Sequence, residues 1–445
     1  MSLVAGLRDR NVNGLAVGLL VIGAIERVGW LVSRHEFRSA SGEAFNVAAS
    51  VARDGTIADV FAKGSGLTTH FTPILPFIAG HIYRIFGLQS PIAESILAAF
   101  SIGTVLATGY LLFLCLGRLG TPPLWRLGAL AIYCVAAIFP ELETTTFRIW
   151  EGALACLLSA WVLLRVLDAD LASDRRLKTW MITCFIACVL FFLNPATGLA
   201  CFAMLGIWLL RHCPIRTWLP YFVSAAVILL AVLTPWTVRN YEAFGRFIPL
   251  RSNMGLELAL ANHPAAVGTG DQREVFWNRL QEIHPQESQA AFDRMQAMGG
   301  ERAYADALGV EAKQWIRAHP VEFAALSLRH VVQFYFPPEW QWNIYSKINA
   351  AMKLKLTLTW VFAGLGLIGA LASALLWRGR YFYPAALVLM TALPYAMVQP
   401  VLRYHYLIYA ITLFLGVELV RRCVMAVLPN RASATVDVAA ATGRR

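Results

Sequence analysis

The stretch GLAVGLLVIGAIERVGWLV, residues 14–32, is an apolar run that is interrupted only by Glu26 and Arg27. Crossing the ~30 Å hydrocarbon core of a bilayer as a helix takes about 20 apolar residues, and comparable runs recur along most of the 445-residue chain. Hydrophobic residues make up 58% of the chain and charged residues 15%, which excludes an ordinary soluble surface. The run carries two charges and lacks a small-residue cleavage site, so we predict a retained span rather than a signal peptide.

The remaining apolar runs extend this prediction to an all-α polytopic membrane protein. Further spans are predicted at 91–116, 124–139, 149–167, 179–193, 197–210, 218–236, 356–377, 381–397 and 404–420. Together with residues 14–32, they predict about 10 or more transmembrane helices.

Positive charges are sorted between the two sides of these spans. The short outer connections hold only Arg148 and Arg403. The inner segments hold Arg8, Arg10, Arg118, Arg126, Arg165, Arg175, Arg176, Lys178, Arg211, Arg216, Arg378, Arg380, Arg421, Arg422, Arg431, Arg444 and Arg445. The positive-inside rule then predicts that both termini are cytoplasmic. The net charge of +11 follows from this sorting and predicts no nucleic-acid partner.

The spans divide the chain into four predicted regions. These are an N-terminal transmembrane core, 1–238, that includes a first outer loop at 33–90; an extracytoplasmic helical loop region, 239–355; C-terminal transmembrane helices, 356–430; and a cytoplasmic tail, 431–445. Two shorter apolar stretches, 72–87 and 321–336, contain His and Arg and are predicted to be interfacial or re-entrant helices. Helical periodicity after residue 286 is broken at Gly299-Gly300 and ends at His319-Pro320.

Three familiar motifs are given structural interpretations. GLGLIG, residues 364–369, lies inside an apolar span, which favours close helix packing over a dinucleotide site. Asp168 and Asp170 are predicted to lie in a solvated cytoplasmic turn. Cys184 and Cys188 are predicted to be packing residues without a disulfide. Neither a metal site nor any other cofactor is predicted, because the chain has no His, Asp and Glu cluster at ligand spacing.

The outer segment SGEAFNVAASVARDG, residues 41–55, places a carboxylate where the chain leaves the first span. Ser41 is a plausible N-cap, and an acid in the first turn is favoured by about 0.3–1 kcal/mol through the helix dipole. These effects would account for an acid at position 43 without any catalytic role. The apolar residues that follow it predict an interfacial helix, which would hold the carboxylate at the headgroup level.

Other outer residues could bind an anion near Glu43. His70 lies in the donor-rich turn GSGLTTHFTPILP, residues 64–76, although a single histidine is more often structural. Arg403, in QPVLRYHYLIY at 399–409, and Arg239, in TPWTVRN at 234–240, lie at outer helix ends, where they are either interfacial anchors or phosphate ligands. An acid beside two arginines suggests a reaction next to a lipid phosphate.

These residues resemble the bacterial GT-C glycosyltransferases, the class of protein O-mannosyltransferases and lipid A aminoarabinose transferases. The resemblance is carried by GEAFNVAASVARDG at 42–55, TTHFTPILPFIAGHIYRIFG at 68–87, PWTVRNYEAFGRFIPLRSNMGLELALANHP at 235–264 and LRYHY at 402–406. Ser41 and Gly42 stand where the commonest pattern has acids, and HFTP replaces a Lys-Pro-Pro turn.

The resemblance implies a membrane glycosyltransferase that uses a polyprenyl-phosphate sugar and inverts the anomeric carbon. Glu43 would be the general base toward an extracytoplasmic lipid, glycan or protein acceptor. The implied substrate-binding residues are His70, Arg239, Asn253, Glu257, Arg403 and His405.

Two alternative functions remain open. A lipid-linked glycan polymerase or an O-antigen ligase would rely on outer arginines and histidines without requiring an acid after the first span. A flippase or transporter would place charges near mid-membrane, and Glu94 and Glu151 are the residues that best fit it.

Overall fold

The computed structural model describes residues 9–34, 37–39, 41–268, 270–344 and 349–427. The predicted cytoplasmic tail, 431–445, lies outside these described residues. Within them the fold is helical, and the only β-pairing is an isolated antiparallel bridge between Ala58 and Leu67.

The N-terminal half contains ten helices. They are α1 (Asp9–Arg34), α2 (Glu43–Asp54), α3 (Ile74–Phe86), α4 (Pro91–Arg118), α5 (Pro123–Ala136), α6 (Pro140–Thr144), α7 (Gly152–Ala172), α8 (Leu177–Leu193), α9 (Pro195–His212) and α10 (Leu219–Phe244). Each of the first seven predicted spans corresponds to one of them, namely α1, α4, α5, α7, α8, α9 and α10.

The predicted extracytoplasmic region is also helical. Its helices are α11 (Met254–Ala261), α12 (Pro264–Val267), α13 (Gln272–Ile283), α14 (Gln289–Ala297), α15 (Glu301–Ala318), α16 (Pro320–Tyr335) and α17 (Glu339–Trp342). The predicted break at Gly299-Gly300 is confirmed, because both glycines adopt positive φ between α14 and α15. The C-terminal helices are α18 (Ala350–Ala372), α19 (Phe382–Thr391) and α20 (Leu402–Val427).

Among the described residues, five helices are long and apolar enough to cross a membrane, which makes this a multi-pass membrane protein. They lie at Asn11–Arg34, Pro91–Arg118, Gly152–Ala172, Leu219–Phe244 and Ala350–Trp377. A bent pair, Pro123–Val135 and Pro140–Arg148, turns by 80° and could be a sixth span. The other predicted spans hold helices that are shorter or less apolar, so a count of ten or more is not confirmed.

Close packing between α18 and α20 explains the glycines of GLGLIG. A Cβ atom added at Gly366 would lie 2.4 Å from Cβ of Thr412, which is closer than two carbon atoms can approach. The predicted packing role of this motif is therefore confirmed.

A buried ion pair lies within the bundle. Arg27 is fully buried, and its Nε atom lies 2.8 Å from Oε2 of Glu143. Tyr406 donates a 2.8 Å hydrogen bond to Oε1 of the same carboxylate. Because a buried charge is tolerated when it has a partner and hydrogen bonds, this group ties α1 to α6 and α20.

The prediction of a solvated turn at Asp168 and Asp170 is wrong. Both residues lie within the last turns of α7, and Asp170 is buried. Its Oδ1 atom accepts hydrogen bonds from Tyr383 at 2.6 Å and Arg211 at 3.1 Å, and lies 2.7 Å from Nε2 of His212. A buried carboxylate needs such partners, so Asp170 joins α7, α9 and α19.

Candidate active site

Glu43 is the first residue of α2, and Gly42 precedes it as the N-cap. Gly42 has φ 131°, a conformation that L side chains rarely adopt, and its carbonyl accepts the Asn46 amide at 2.9 Å. No side chain caps this helix, so the predicted N-cap role of Ser41 is wrong. The N-cap is therefore Gly42, one residue later than the predicted Ser41, because only glycine readily adopts this backbone conformation.

The buried face of α2 fixes the position of Glu43 by packing on α3. Val47, Ala48 and Val51 are fully buried. The contact with α3 is made at Gly80, where an added Cβ would lie 2.5 Å from Cβ of Val51. Because the two backbones approach this closely, the carboxylate at the start of α2 has a defined position.

Two histidines from distant parts of the chain meet on the Glu43 carboxylate. Nε2 of His70 and Nε2 of His284 each lie 3.2 Å from Oε1. Each imidazole is thus within polar contact of the same carboxylate oxygen. His70 belongs to the first outer loop, whereas His284 directly follows α13.

This arrangement favours the ionised carboxylate. Burial raises the pKa of Glu43, but the two adjacent imidazoles outweigh burial and hold that pKa well below its usual value. Burial lowers the pKa of His70, while the negative charges of Glu43, Glu301 and Glu257 raise it by more. The pair therefore favours an ionised Glu43 and a protonated His70.

Phe61 separates the two imidazoles and fixes their orientation. Its ring lies edge-on to His70 at 5.1 Å between centroids and edge-on to His284 at 5.6 Å. The His70 amide donates to Oγ1 of Thr68 at 3.0 Å. The loop thus holds the His70 side chain by packing and its backbone by a hydrogen bond.

Glu301, the first residue of α15, braces this loop from the outer region. It is buried, and its carboxylate accepts hydrogen bonds from the Thr68 hydroxyl, the Thr69 amide and the Ser252 hydroxyl. The Ser252 amide donates to the Thr69 carbonyl at 3.0 Å. A buried acid with this many donors joins the His70 loop to α15.

Arg239, near the C-terminal end of α10, contacts the same loop from another side. Its guanidinium donates to the carbonyls of Thr68 at 2.9 Å and Ile57 at 2.8 Å, and it lies over the Trp236 ring at 4.9 Å. Three of its polar contacts, including one to Asn240, are therefore within the protein. The structure places this predicted phosphate ligand against the loop that carries His70.

Asn253 and Glu257 lie at the start of α11 and contact each other. The Asn253 amide donates to Glu257 at 3.3 Å, and both side chains are half-buried. Glu257 is close enough to raise the pKa of His70 by its charge. These two predicted residues therefore lie near the Glu43 and His70 pair.

Arg403 is connected to the histidine pair through a chain of neighbouring contacts. Its guanidinium carbon lies 5.5 Å from the Trp150 ring centroid. The next residue, Glu151, forms an ion pair with Arg251, whose guanidinium lies over the Phe71 ring, next to His70, at 5.8 Å. These contacts link Arg403 to the neighbourhood of His70.

His405 lies apart from this group. It is buried in α20, and its Nδ1 atom lies 2.9 Å from the Phe334 carbonyl oxygen. Its Nε2 atom has no hydrogen-bond partner among the described residues. The structure does not bring His405 to the carboxylate.

Three residues of the site were not identified from the sequence: His284, Glu301 and Arg251. His284 precedes a proline at the end of α13, and Glu301 follows the Gly299-Gly300 break, so each lies at a helix end where a side chain can be aimed at a neighbour. Arg251 lies within the stretch 235–264 that carries the family resemblance. Its ion pair with Glu151 explains why an acid is tolerated at the start of α7.

No group of three or more His, Cys, Asp or Glu residues arranged to hold a metal ion is found in the described ranges. Both imidazoles contact Oε1 of Glu43. Chemically, the site offers an ionised carboxylate beside two imidazoles, and such a carboxylate is able to accept a proton.

Comparison with known proteins identifies a shared fold. The chain matches no protein-family model and no curated sequence. The crystal structure of the oligosaccharyltransferase of Archaeoglobus fulgidus in its apo form aligns with a TM-score of 0.52 and 13% identity, covering 96% of this chain and 52% of that one. This likeness supports the predicted GT-C fold.

A second structure is that of the archaeal oligosaccharyltransferase AglB from A. fulgidus in complex with an inhibitory peptide and a dolichol-phosphate. It aligns with a TM-score of 0.49 and 14% identity, covering 94% of this chain and 52% of that one. The chain spans about half the length of the structures that it matches.

Proposed function

We propose that this protein is an integral membrane glycosyltransferase with Glu43 as its general base. It transfers a sugar from a polyprenyl-phosphate donor to a hydroxyl acceptor on the extracytoplasmic side, with inversion. The observation that carries the proposal is the Glu43 carboxylate, which lies 3.2 Å from both His70 and His284. The GT-C fold supports it, as do the residues that resemble bacterial members of that class.

In the proposed reaction the acceptor hydroxyl approaches Oε2 of Glu43. The hydroxyl proton passes to this oxygen as the acceptor oxygen bonds to the anomeric carbon. The bond from that carbon to the phosphate oxygen breaks, and its electron pair stays on the lipid phosphate. Attack opposite the leaving group inverts the anomeric centre.

Cationic side chains near the carboxylate would stabilise the leaving phosphate. Arg403 is half-buried, and Arg251 lies between it and His70. Guanidinium groups suit phosphate oxygens because they can donate two parallel hydrogen bonds. Arg239 instead supports the loop, since its donors engage the Thr68 and Ile57 carbonyls. His70 would orient Glu43 and contact the substrate.

The partners of two acids disfavour the transport alternative. Glu94 accepts hydrogen bonds from Ser39, Tyr83 and Arg148, at 2.6–2.7 Å. Glu151 is paired with Arg251. Both acids that best fitted a transporter therefore have fixed partners, which supports structural roles for them.

The substitution Glu43→Gln tests the proposal. The amide keeps the shape of the side chain but cannot accept the proton, so we expect transfer to fall about 10²- to 10⁴-fold. The assay uses membranes supplied with a radiolabelled polyprenyl-phosphate sugar and measures labelled acceptor. Glu242→Gln, on the exposed last turns of α10, is the matched control.

Full transfer by the Glu43→Gln variant would reject the general-base role and favour a ligase-type site built on arginines and histidines. Movement of the labelled lipid between leaflets, without any labelled acceptor, would favour a flippase instead.

A further inference from the structure

An open cleft of about 590 Å³ lies apart from Glu43, between α1, the break after α5, and the start of α18. Its apolar walls include Trp30, Phe139 and Met352. Its charged lining residues are Arg34, Lys355 and Glu141. Apolar walls with a few polar groups are typical of small-molecule and headgroup sites.

One buried donor in this cleft has no acceptor. Trp342 is 2% exposed and stacks on Phe139 at 5.3 Å between centroids. Its indole Nε1–H has no hydrogen-bond partner in the part of the chain that the structure describes. Because an unpaired buried donor costs about 1–3 kcal/mol, a ligand acceptor at this position would be stabilising.

The start of α18 adds positive potential at the same place. Asn349 caps this 23-residue helix by accepting the Met352 amide at 2.9 Å, and both residues line the cleft. The N-terminal end of a long helix favours anions. The Lys355 ammonium uses one of its three donors on the Ala137 carbonyl at 3.2 Å.

We infer that this cleft binds the phosphodiester headgroup of a membrane phospholipid. The phosphate accepts hydrogen bonds from Trp342 and Lys355, and the first methylenes of the lipid lie against Trp30 and Met352. The acyl chains continue along the exposed apolar side chains of Val28, Val32 and Leu354 on α1 and α18.

The charge balance and the walls favour this occupant. Among the described lining residues, Arg34 and Lys355 against Glu141 leave one positive charge, which matches the single negative charge of a phosphodiester. Glu26 lies close enough to interact with Lys355 but does not line the cleft. Free phosphate would gain nothing from the apolar walls, whereas a lipid would bury its chains against them.

Titration of delipidated protein with short-chain phosphatidylglycerol, followed by native mass spectrometry, tests this inference. We expect a one-to-one complex in the wild type. Trp342→Phe keeps the stacked ring but removes the donor, and Lys355→Ala removes the cation. Each change should weaken binding about tenfold, the loss expected for a hydrogen bond to a charged group.

Lys353→Ala is the matched control, because Lys353 is exposed on the same helical turn and lies outside the cleft. Equal binding by the wild type and Trp342→Phe would overturn the inference, and so would an equal loss in Lys353→Ala. Displacement of phosphatidylglycerol by equimolar polyprenyl phosphate would also overturn it, since the cleft would then serve a carrier lipid. Elution of Trp342→Phe as a monodisperse peak confirms that it folds.

Discussion

His284 places its Nε2 atom 3.2 Å from Oε1 of Glu43, although the two residues lie in distant parts of the chain. The contact gives the predicted extracytoplasmic helical region a direct role beside the carboxylate. It also means that a change after α13 can alter the ionisation of a group at the start of α2.

Replacing His284 with Ala should move the acidic limb of the pH–rate profile to higher pH. His284 helps to hold the pKa of Glu43 down, while burial raises it, so loss of the imidazole raises that pKa. Transfer would then require a higher pH to ionise Glu43. The measurement is kcat/KM from pH 4 to 8, with exposed His319→Ala as the control. An unchanged acidic limb would contradict the effect.

The Glu43 and His70 pair should stabilise the protein most between about pH 4.5 and pH 6.5, the unshifted pKa values of the two groups. Glu43 has a depressed pKa in the fold, so its contribution is lost as pH falls below 4.5. His70 has a raised pKa, so its contribution is lost as pH rises above 6.5. Melting temperatures of wild type and Glu43→Gln should differ most inside this window. A difference that does not vary with pH would argue against the pairing.

Glu301→Gln should loosen the His70 loop without removing any group from the carboxylate. One oxygen of Glu301 becomes an NH₂ donor facing other donors, which should cost about 1–3 kcal/mol. We expect a lower melting temperature and faster proteolysis between α2 and α3. Glu311→Gln, on the exposed face of the same helix, should change neither. If both variants were cleaved at the same rate, Glu301 would not stabilise the His70 loop.

Asp170→Asn should destabilise the fold by about 3 kcal/mol, because Arg211 and its neighbours would lose a buried charged partner. Asp168, which pairs with Arg118, is more exposed than Asp170. Asp168→Asn should therefore cost less than about 1 kcal/mol. Thermal unfolding in detergent distinguishes the two. If the two variants melted at the same temperature, the buried contacts of Asp170 would contribute no more to stability than the exposed pair of Asp168.

Gly80→Val should push α2 away from α3, because its Cβ would meet Val51 and the Ala48 carbonyl. Overpacking of this kind costs about 1–3 kcal/mol and should reduce transfer by displacing Glu43. Gly103→Val, on α4, has no atom within 4 Å of the new Cβ and serves as the control. Transfer that is reduced equally in both variants would point to a general effect of valine.

Local sequence patterns were sufficient to predict several features of the fold. Apolar length predicted the spans at 14–32 and 91–116, and the Gly299-Gly300 break predicted the boundary between α14 and α15. Periodicity could not reveal that Asp170 is buried, because its partners come from α9 and α19. Nor could it show that Gly42, rather than Ser41, precedes α2, since that depends on a backbone turn.

The candidate site was only partly visible in the sequence for a similar reason. Glu43 and His70 are near each other in the chain and lie beside recognisable motifs. His284 belongs to the site because the end of α13 lies next to Glu43, and no local sequence pattern predicts that contact. The sequence suggested Arg239 as a phosphate ligand. Its hydrogen bonds to two backbone carbonyls show instead that it supports the loop that carries His70.

The bracing of the His70 loop by Glu301 has a consequence for dividing the polypeptide. A fragment of residues 1–238 would carry the carboxylate and one imidazole, but it would lack Arg239, His284 and the acid that receives the loop hydroxyls. Such a fragment would have a partially assembled site even if every one of its helices inserted correctly. Supplying residues 239–445 as a separate chain could restore the missing groups, so reassembly of the two halves would depend on the polar contacts at Thr68, Thr69 and Ser252.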